Sequence, residues 1–241
     1  MTILFVSDLH CEAGREGIGD QFCQFLRTEA RDADALYILG DLFESWIGDD
    51  DPNPHYARIK DGLSALTRTG VPVYFMHGNR DFMIGPAFAA DTGVRLLPDP
   101  LIADLYGERV LLSHGDAWCT DDHEYQALRR MTRDPQWQAM ILGKSLAERQ
   151  AIAAQARAES KARSAMKADE IMDVNAAAIA EAFRSSGVST ILHGHTHRPA
   201  MHELEVDGRR CRRIVLGDWY EQGSVLRWAP DGPGLAVLER G

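Results

Sequence analysis

The sequence contains few cysteines and no long apolar run. Only four of its 241 residues are cysteine and none forms a CxxC pair, which argues against a disulfide framework or a structural zinc site and suits a reducing compartment. No stretch of about 18 apolar residues is present, so no transmembrane helix is expected. The first residues enter a strand pattern with no basic segment before it, so we expect no signal peptide. These features predict a cytoplasmic globular protein.

Positive charge is also scarce, but it is concentrated in one segment. The formal net charge is -10, which argues against nucleic acid as a partner of the whole surface. Residues 129–167 nevertheless carry nine Lys or Arg against three Asp or Glu, a net of +6. A basic segment in an acidic chain predicts a distinct unit with an anionic partner.

Short apolar runs that alternate with helical spacing predict an α/β fold. The predicted strands lie at residues 2–7, 35–39, 71–76, 101–105, 109–113 and 188–192, with further short β runs from residue 201 onward. The predicted helices of the first half lie at residues 21–31, 56–69 and 82–92. Residues 118–185 show no convincing strand, and Ser145 to Glu148 form a capping-box signature for a long helix. We therefore predict an α/β sandwich of two mixed β-sheets flanked by helices, with a core at 1–117 and 186–241 and a helical insertion at 118–185.

Seven polar side chains follow the ends of predicted strands, where open α/β sheets bind their ligands. They are two carboxylates, one amide and four imidazoles: Asp8, His10, Asp41, Asn79, His114, His195 and His197. This mixture suits Mn, Fe or Zn better than Ca or Mg, which take mainly oxygen ligands. Seven ligands exceed what one ion takes, so we predict two ions, about 3.5–4 Å apart, with one bridging carboxylate.

Each of these patterns alone also has a structural explanation. A carboxylate that follows a strand, such as Asp41, can cap the next helix, and a lone Asp-x-His pattern is only weak support for metal binding. The remaining histidines are interpreted as structural or surface residues: His55, His77, His123, His193 and His202. The ordered recurrence of five ligand patterns in one chain is what favours a metal centre.

The ordered patterns resemble those of the calcineurin-like metallophosphoesterases. The family pattern D-x-H, GD, GN-H/R, H and GH-x-H is matched here by Asp8-Leu9-His10, Gly40-Asp41, Gly78-Asn79-Arg80, His114 and Gly194-His195-Thr196-His197. The resemblance implies one ion held by Asp8, His10, Asp41 and His197, and a second held by Asp41, Asn79, His114 and His195. It implies that Asp41 bridges the ions, and that a bridging hydroxide is the nucleophile because two cations lower the pKa of bound water.

Arg80 departs from the histidine that many family members carry after the asparagine. An arginine cannot donate a proton near neutral pH, but it can bind phosphate oxygens bidentately. An alkoxide leaving group requires a proton, whereas a leaving phosphomonoester does not, since its second pKa is about 6. Arg80 therefore favours cleavage of a pyrophosphate-type bond.

Longer motifs resemble one branch of this family, the pyrophosphatases that act on a UDP-linked diacylated glucosamine lipid. These motifs lie at residues 35–54, 77–82, 114–122, 171–175 and 193–204. The resemblance implies UMP and 2,3-diacylglucosamine 1-phosphate as products, a role in lipid A biosynthesis, manganese as the usual ion, and peripheral contact with the cytoplasmic side of the inner membrane. It implies substrate contacts at Asn79, Arg80, Asp122, Ser160, Ser164, Lys167 and His195, where Ser164 replaces the usual asparagine.

The predicted insertion has features that suit such a substrate. Ser160, Arg163, Ser164 and Lys167 are spaced to share one helix face, which either holds a diphosphate over the metals or is simply solvated. Its apolar residues either line an acyl-chain groove, touch the bilayer or form the insertion's own core: Trp137, Met140, Ile141, Leu142, Leu146 and Ile152. The alternatives for the whole chain are another calcineurin-like phosphodiesterase, disfavoured by the insertion and Arg80, and a scaffold protein, disfavoured by the complete ligand set.

Overall fold

Eleven strands and seven helices are found in the residues that the structure, a computed structural model, describes: 1–164 and 173–240. The strands are β1 (Ile3–Val6), β2 (Ala35–Ile38), β3 (Val73–Met76), β4 (Arg95–Leu97), β5 (Leu101–Leu105), β6 (Glu108–Ser113), β7 (Thr190–His193), β8 (Ala200–Val206), β9 (Arg209–Val215), β10 (Gly223–Ala229) and β11 (Gly232–Leu238). The helices are α1 (Glu16–Arg27), α2 (Pro54–Arg68), α3 (Pro86–Thr92), α4 (His123–Thr132), α5 (Pro135–Leu142), α6 (Leu146–Ser164) and α7 (Ala176–Ser186).

The strands form two mixed sheets, which confirms the predicted architecture. The first sheet has the order β11-β10-β1-β2-β3-β4, in which β1 to β4 run parallel and β10 pairs antiparallel with β1. The second sheet has the order β5-β6-β7-β9-β8, with β6, β7 and β9 parallel. The carboxyl ends of β1, β2 and β3 therefore lie at one edge, as those of β6 and β7 do in the other sheet.

The first sheet is buried on both faces, which explains the continuous apolar runs of its parallel strands. Along β1, Leu4 and Val6 pack in the cluster that contains Phe22 of α1. The alternate residue, Phe5, packs in the cluster that joins the two sheets and includes Leu112 of β6. Successive side chains of a strand point to opposite faces of the sheet, so one short apolar run contributes side chains to two hydrophobic clusters.

Helix α1 and strand β4 differ from the sequence-based expectation. Helix α1 occupies Glu16–Arg27, whereas residues 21–31 were expected, and a 3₁₀ turn at Glu29–Asp32 accounts for the end of that range. Two glycines in its first turn, Gly17 and Gly19, weaken the sequence signal for the helix start. Strand β4 was missed because its three residues are too few for a period of two to be recognised.

Helix α7 packs on the second sheet. Its buried residues Ile179 and Phe183 share a cluster with Leu111 of β6 and Ile191 of β7. Strands β6 and β7 are parallel neighbours, so the chain between them must cross over, and a helix that covers the sheet is the usual solution. The predicted division of the chain at residues 118 and 185 stays a prediction, but α7, inside that range, belongs by its packing to the sheet.

The long helix of the predicted insertion begins as its capping box indicates. The Ser145 hydroxyl donates to the Glu148 carboxylate at 2.6 Å, and the Glu148 backbone N–H returns to the Ser145 hydroxyl at 3.4 Å. Among the described residues, no helix is both long and apolar enough to cross a membrane. The four cysteines are buried, and none of them forms a disulfide bond.

Truncation of Phe183 to alanine should lower the free energy of unfolding by about 3–5 kcal/mol, because its ring is completely buried under α7. Urea unfolding followed by circular dichroism measures this loss. Met140→Ala on α5 is the matched control, since Met140 is 55% exposed and its loss should change stability by no more than about 0.5 kcal/mol. Equal losses in the two variants would contradict the packing of α7 on the sheet.

Candidate metal centre

The first two carboxylates lie on neighbouring turns that leave parallel strands. Asp8 follows β1 and Asp41 follows β2, and the two turns remain hydrogen-bonded beyond the sheet: the Asp8 N–H donates to the Gly40 carbonyl at 3.0 Å, and the His10 N–H to the Asp41 carbonyl at 2.9 Å. Asp8, His10 and Asp41 have φ angles of 56°, 53° and 53°, a region that residues other than glycine rarely adopt. Such strain persists only where surrounding contacts hold the backbone, and it often marks functional sites.

One group of candidate ligands joins the first turn to the GHTH segment after β7. The Nε2 atom of His197 lies 3.4 Å from Oδ1 of Asp8 and 3.2 Å from Nε2 of His10. The same Asp8 oxygen lies 4.0 Å from Nε2 of His10. Residues that are about 190 positions apart in the chain thus place three ligating atoms around one point.

A second group is built on the turns after β2, β3 and β6. Oδ2 of Asp41 lies 3.8 Å from Nε2 of His114 and also 3.8 Å from Nε2 of His10, so it faces both groups. The Asn79 amide oxygen lies 2.9 Å from Nε2 of His114 and 2.8 Å from Nδ1 of His195. All seven side chains predicted as ligands therefore meet in one place; that they bind metal stays a prediction.

The donor atoms suit a pair of divalent cations. Two triplets of ligating atoms, Asp8-His10-His197 and Asp8-Asp41-His114, each lie within 4.8 Å of one another. The Oδ1 atom of Asp8 is buried and has no hydrogen-bond partner among the residues that the structure describes, which is costly for a carboxylate unless a cation neutralises it. The carboxylate, amide and imidazole mixture is the one used by Mn, Fe and Zn.

The outward-facing nitrogens of three imidazoles are held by oxygen atoms. Nδ1 of His10 lies 2.8 Å from the Glu44 carboxylate, and Nδ1 of His114 lies 2.8 Å from the Leu39 carbonyl. Nδ1 of His197 lies 3.4 Å from the Asp218 carboxylate. Such partners fix the ring orientation and leave Nε2 facing the centre, as in many metal sites.

Asp81 is a buried carboxylate that sequence reasoning missed. It lies one residue after Arg80 and accepts hydrogen bonds from the backbone N–H groups of Gly78, Asp41, Leu42 and Phe43 at 2.7 to 3.4 Å. It thereby joins the turns that carry Asp41 and Asn79. Burial, and next the charge of Asp41, raise the pKa of Asp81 to about 7. Its only sequence signal was its place in the motif at residues 77–82.

Asp116 is a second buried carboxylate beside the centre that was missed. It accepts a hydrogen bond from the Tyr125 hydroxyl at 2.5 Å and one from Nε of Arg129 at 2.9 Å, so it connects α4 to the turn after β6. Burial opposes its ionisation, but the charges of His114 and Arg129 outweigh burial and hold the pKa of Asp116 well below its usual range. Its signal in the sequence was the HGD motif at residues 114–116, of which only His114 was interpreted as a candidate ligand.

The neighbouring histidines His114 and His195 are shifted in opposite directions. Burial lowers the pKa of His114, but the carboxylates of Asp41, Asp8 and Asp116 outweigh this and raise the pKa to about 9. Burial and the nearby charge of His114 lower the pKa of His195 to about 4. The centre therefore contains one imidazole in a strongly negative environment and one whose neutral form is favoured.

A cleft of about 420 Å³ extends from the centre along α4, α5 and α6. Asn79 and Arg80 line it beside the centre, and Ser160 of α6 also lines it. We call it the basic cleft, because it is lined by Arg80, Arg129, Arg133, Arg149 and Arg157 as well as by the apolar side chains of Trp46, Phe82, Met83, Leu128, Met131, Trp137, Ile141 and Ile152.

The remaining predicted substrate contacts either lie outside the basic cleft or fall outside the residues that the structure describes. Asp122 does not line the basic cleft, and its carboxylate accepts the Tyr125 N–H at 3.0 Å as the N-cap of α4. Ser164 is the last residue of α6, but its side chain, like that of Arg163, falls outside the described residues. Lys167 also lies outside them.

Comparison with known proteins identifies the family. The family model described as calcineurin-like phosphoesterase matches residues 1–199, which contain all seven candidate ligands. The chain belongs to this family. The family that the motifs resemble is thereby confirmed, and the two mixed sheets of the structure are those expected of a calcineurin-like phosphoesterase.

Three relatives match this calcineurin-like phosphoesterase along its whole length. The protein named UDP-2,3-diacylglucosamine hydrolase of Stenotrophomonas maltophilia is 53% identical, over 100% of both chains. Proteins of the same name from Xanthomonas campestris pv. campestris and Xanthomonas oryzae pv. oryzae are each 52% identical, over 99% and 98% of both chains respectively.

Replacement of Asp81 by alanine should lower the free energy of unfolding by roughly 2–4 kcal/mol, because buried backbone N–H groups lose their acceptor. Urea unfolding in the presence of a chelator measures this without a contribution from metal binding. Asp91→Ala, which removes an exposed carboxylate paired with Lys60, is the matched control and should change stability by no more than about 0.5 kcal/mol. If both variants unfold at the same urea concentration as the parent, Asp81 does not hold the turns together.

Proposed function

We infer that the protein hydrolyses the diphosphate bond of UDP-2,3-diacylglucosamine to give UMP and 2,3-diacylglucosamine 1-phosphate. The single observation that carries this inference is the match at 52–53% identity, over the full length, to proteins named for that hydrolase activity. The family relationship and the clustering of the candidate metal ligands both support a metal-dependent mechanism.

We propose that the seven clustered side chains hold two divalent cations, which when bound would activate a water molecule and neutralise phosphate charge. Asp41 is proposed to contact both positions, because its Oδ2 atom is equidistant from Nε2 of His10 and of His114. Manganese is the proposed ion because it is the usual ion of the branch that the motifs resemble. The four imidazoles suit manganese, iron or zinc better than calcium or magnesium. The proposed catalytic residues are Asp41, Asn79, Arg80 and His114.

Arg80 is proposed to bind the phosphate that leaves. Its side chain lines the basic cleft where the cleft meets the centre, and its buried Nε has no hydrogen-bond partner within the described residues. The nearest carboxylate, that of Glu44, lies 3.7 Å from NH1, which leaves the guanidinium able to reach a phosphate. Binding is sufficient here because a leaving phosphomonoester requires no proton at neutral pH.

We propose that the basic cleft holds the acylated half of the substrate. Its arginines suit an anionic phosphate, and its aromatic and aliphatic walls suit acyl chains. Trp137, Ile141 and Ile152 line it. Of the apolar residues considered from the sequence, Met140 and Leu142 are instead exposed, by 55% and 44%. We propose that these two contact the cytoplasmic face of the inner membrane, where interfacial proteins combine apolar and basic residues.

Removal of metal should abolish UMP release from UDP-2,3-diacylglucosamine. Treatment with EDTA followed by addition of Mn²⁺ should restore the rate, and Ca²⁺ should restore much less, because imidazole nitrogens bind calcium poorly. Chromatographic measurement of UMP gives the rate. Full activity in the chelator would contradict the metal-dependent mechanism, and no UMP release with any ion would contradict the proposed substrate.

Asp41→Ala should lower kcat by at least about a hundredfold, which corresponds to roughly 2.7 kcal/mol of activation free energy. The reason is that this carboxylate faces both candidate metal positions. Steady-state kinetics at saturating Mn²⁺ measures the effect, and circular dichroism checks the fold. Asp61→Ala, on the exposed side of α2, is the control and should keep the parental rate. An Asp41→Ala variant with more than about a tenth of parental kcat would rule out the bridging role.

A further inference from the structure

A second cleft lies beside the centre and, among the described residues, shares no lining residue with the basic cleft. It has a volume of about 520 Å³, which is within the usual size of small-molecule sites, about 300–1,000 Å³. Its walls come from the segment after β7, the loop before β10 and one edge of β11. We call it the loop cleft, and the lining residues that matter here are Pro199, Asp218, Tyr220, Glu221, Gln222 and Val237.

Two of its lining residues touch the candidate ligands directly. Asp218 lies 3.4 Å from Nδ1 of His197. The Tyr220 ring stacks on the His10 ring with centroids 5.2 Å apart, and it lies 5.6 Å from the His197 ring. The loop cleft therefore borders the side of the centre that is formed by His10 and His197.

The loop cleft is preformed by hydrogen bonds of its own loop. The buried Trp219 donates through Nε1 to the Ser224 carbonyl at 3.1 Å, and its backbone N–H donates to the Asp8 carbonyl at 3.2 Å. NH2 of Arg240 donates to the Trp219 carbonyl at 2.8 Å. A ligand would meet a shaped wall, which reduces the entropy lost on binding.

The two clefts differ in charge. The loop cleft is lined by the carboxylates of Asp218 and Glu221, and no Lys or Arg lines it among the described residues. The basic cleft is lined by five arginines against three acidic side chains. A phosphate or an anionic lipid headgroup is attracted to the basic cleft and repelled from the loop cleft. The loop cleft therefore suits a neutral group that is rich in hydrogen-bond donors.

We propose that the loop cleft binds the uridine of the substrate, and this proposal rests on the proposed function. Ribose hydroxyls can donate to the carboxylates at the cleft entrance, as in other nucleotide sites. The imide edge of uracil carries a donor beside acceptors, which the carboxamide of Gln222 complements. Pro199 and Val237 offer apolar surface to the ring. The two halves of the diphosphate thus occupy separate clefts, with the bond to be cleaved at the centre between them.

Val237→Trp tests the proposal because it fills the loop cleft without touching a candidate ligand. Val237 is 54% exposed on the edge strand β11, so the larger side chain should not disturb the core. The Mn²⁺-loaded parent should bind UMP more tightly than orthophosphate. The variant should bind UMP about tenfold more weakly than the parent while its affinity for orthophosphate stays within about twofold. Isothermal titration calorimetry measures both dissociation constants.

Ile102→Trp is the matched control. Ile102 is 37% exposed on β5, the edge strand of the other sheet, and does not line the loop cleft. Its affinities for UMP and orthophosphate should equal those of the parent. Gln222→Ala, an exposed loop substitution, decides the question if Val237→Trp does not fold, and it should also weaken UMP binding while orthophosphate binding is unchanged.

The outcomes separate this proposal from the proposed function. If the parent releases UMP from the UDP-lipid but Val237→Trp keeps the parental UMP affinity, the loop cleft does not bind uridine and the proposed function stands. Equal weakening of UMP and orthophosphate in Val237→Trp would show damage to the centre and would also overturn the proposal. If the parent releases no UMP, the proposed function itself is wrong.

Discussion

Burial of two carboxylates side by side is the constraint on which the rest of the structure depends. Asp8 and Asp41 are 0% and 2% exposed, at the ends of adjacent parallel strands. Unneutralised charges in such a place are strongly unfavourable. The protein offsets this cost with hydrogen bonds to one oxygen of each: the Ser7 hydroxyl and His195 N–H donate to Asp8, and the Arg80 N–H donates to Asp41. The other oxygens face imidazole nitrogens, where the proposed cations would complete the balance.

Close approach of the turns makes this arrangement possible, and glycine makes the close approach possible. A Cβ atom at Gly78 would collide with the carboxylate of Asp41, and one at Gly194 would collide with that of Asp8. The glycines of the GN and GH motifs are thus required by packing. The candidate ligands next to them are instead explained by the chemistry of their side chains. The strain appears in the candidate ligands instead, five of which have positive φ angles: Asp8, His10, Asp41, His195 and His197.

The helices after β6 are attached to the same turns that carry the candidate ligands. NH2 of Arg133, the residue that follows α4, donates to the Gly78 carbonyl at 2.8 Å, next to Asn79. NH1 of Arg149 on α6 donates to the Ile47 carbonyl at 2.7 Å in the loop after β2, and its guanidinium also pairs with Asp50. The basic segment seen in the sequence therefore has a double role, because Arg133 and Arg149 both line the basic cleft and connect the helices to the turns around the centre.

The sequence by itself determined the features that depend on residues close to one another along the chain. The apolar runs, the helical spacing, the Ser145 capping box and the ligands at strand ends are local patterns, so the fold class and the seven clustered side chains could be predicted. Asp81, Asp116, Glu44 and Asp218 could not, because each acts on a backbone group or ring that only the folded chain brings beside it. The packing of α7 and the existence of the loop cleft were likewise decided only by the tertiary structure. A cleft exists only where segments as distant as Pro199 and Val237 meet, and that meeting depends on the sheet order, which no local pattern specifies.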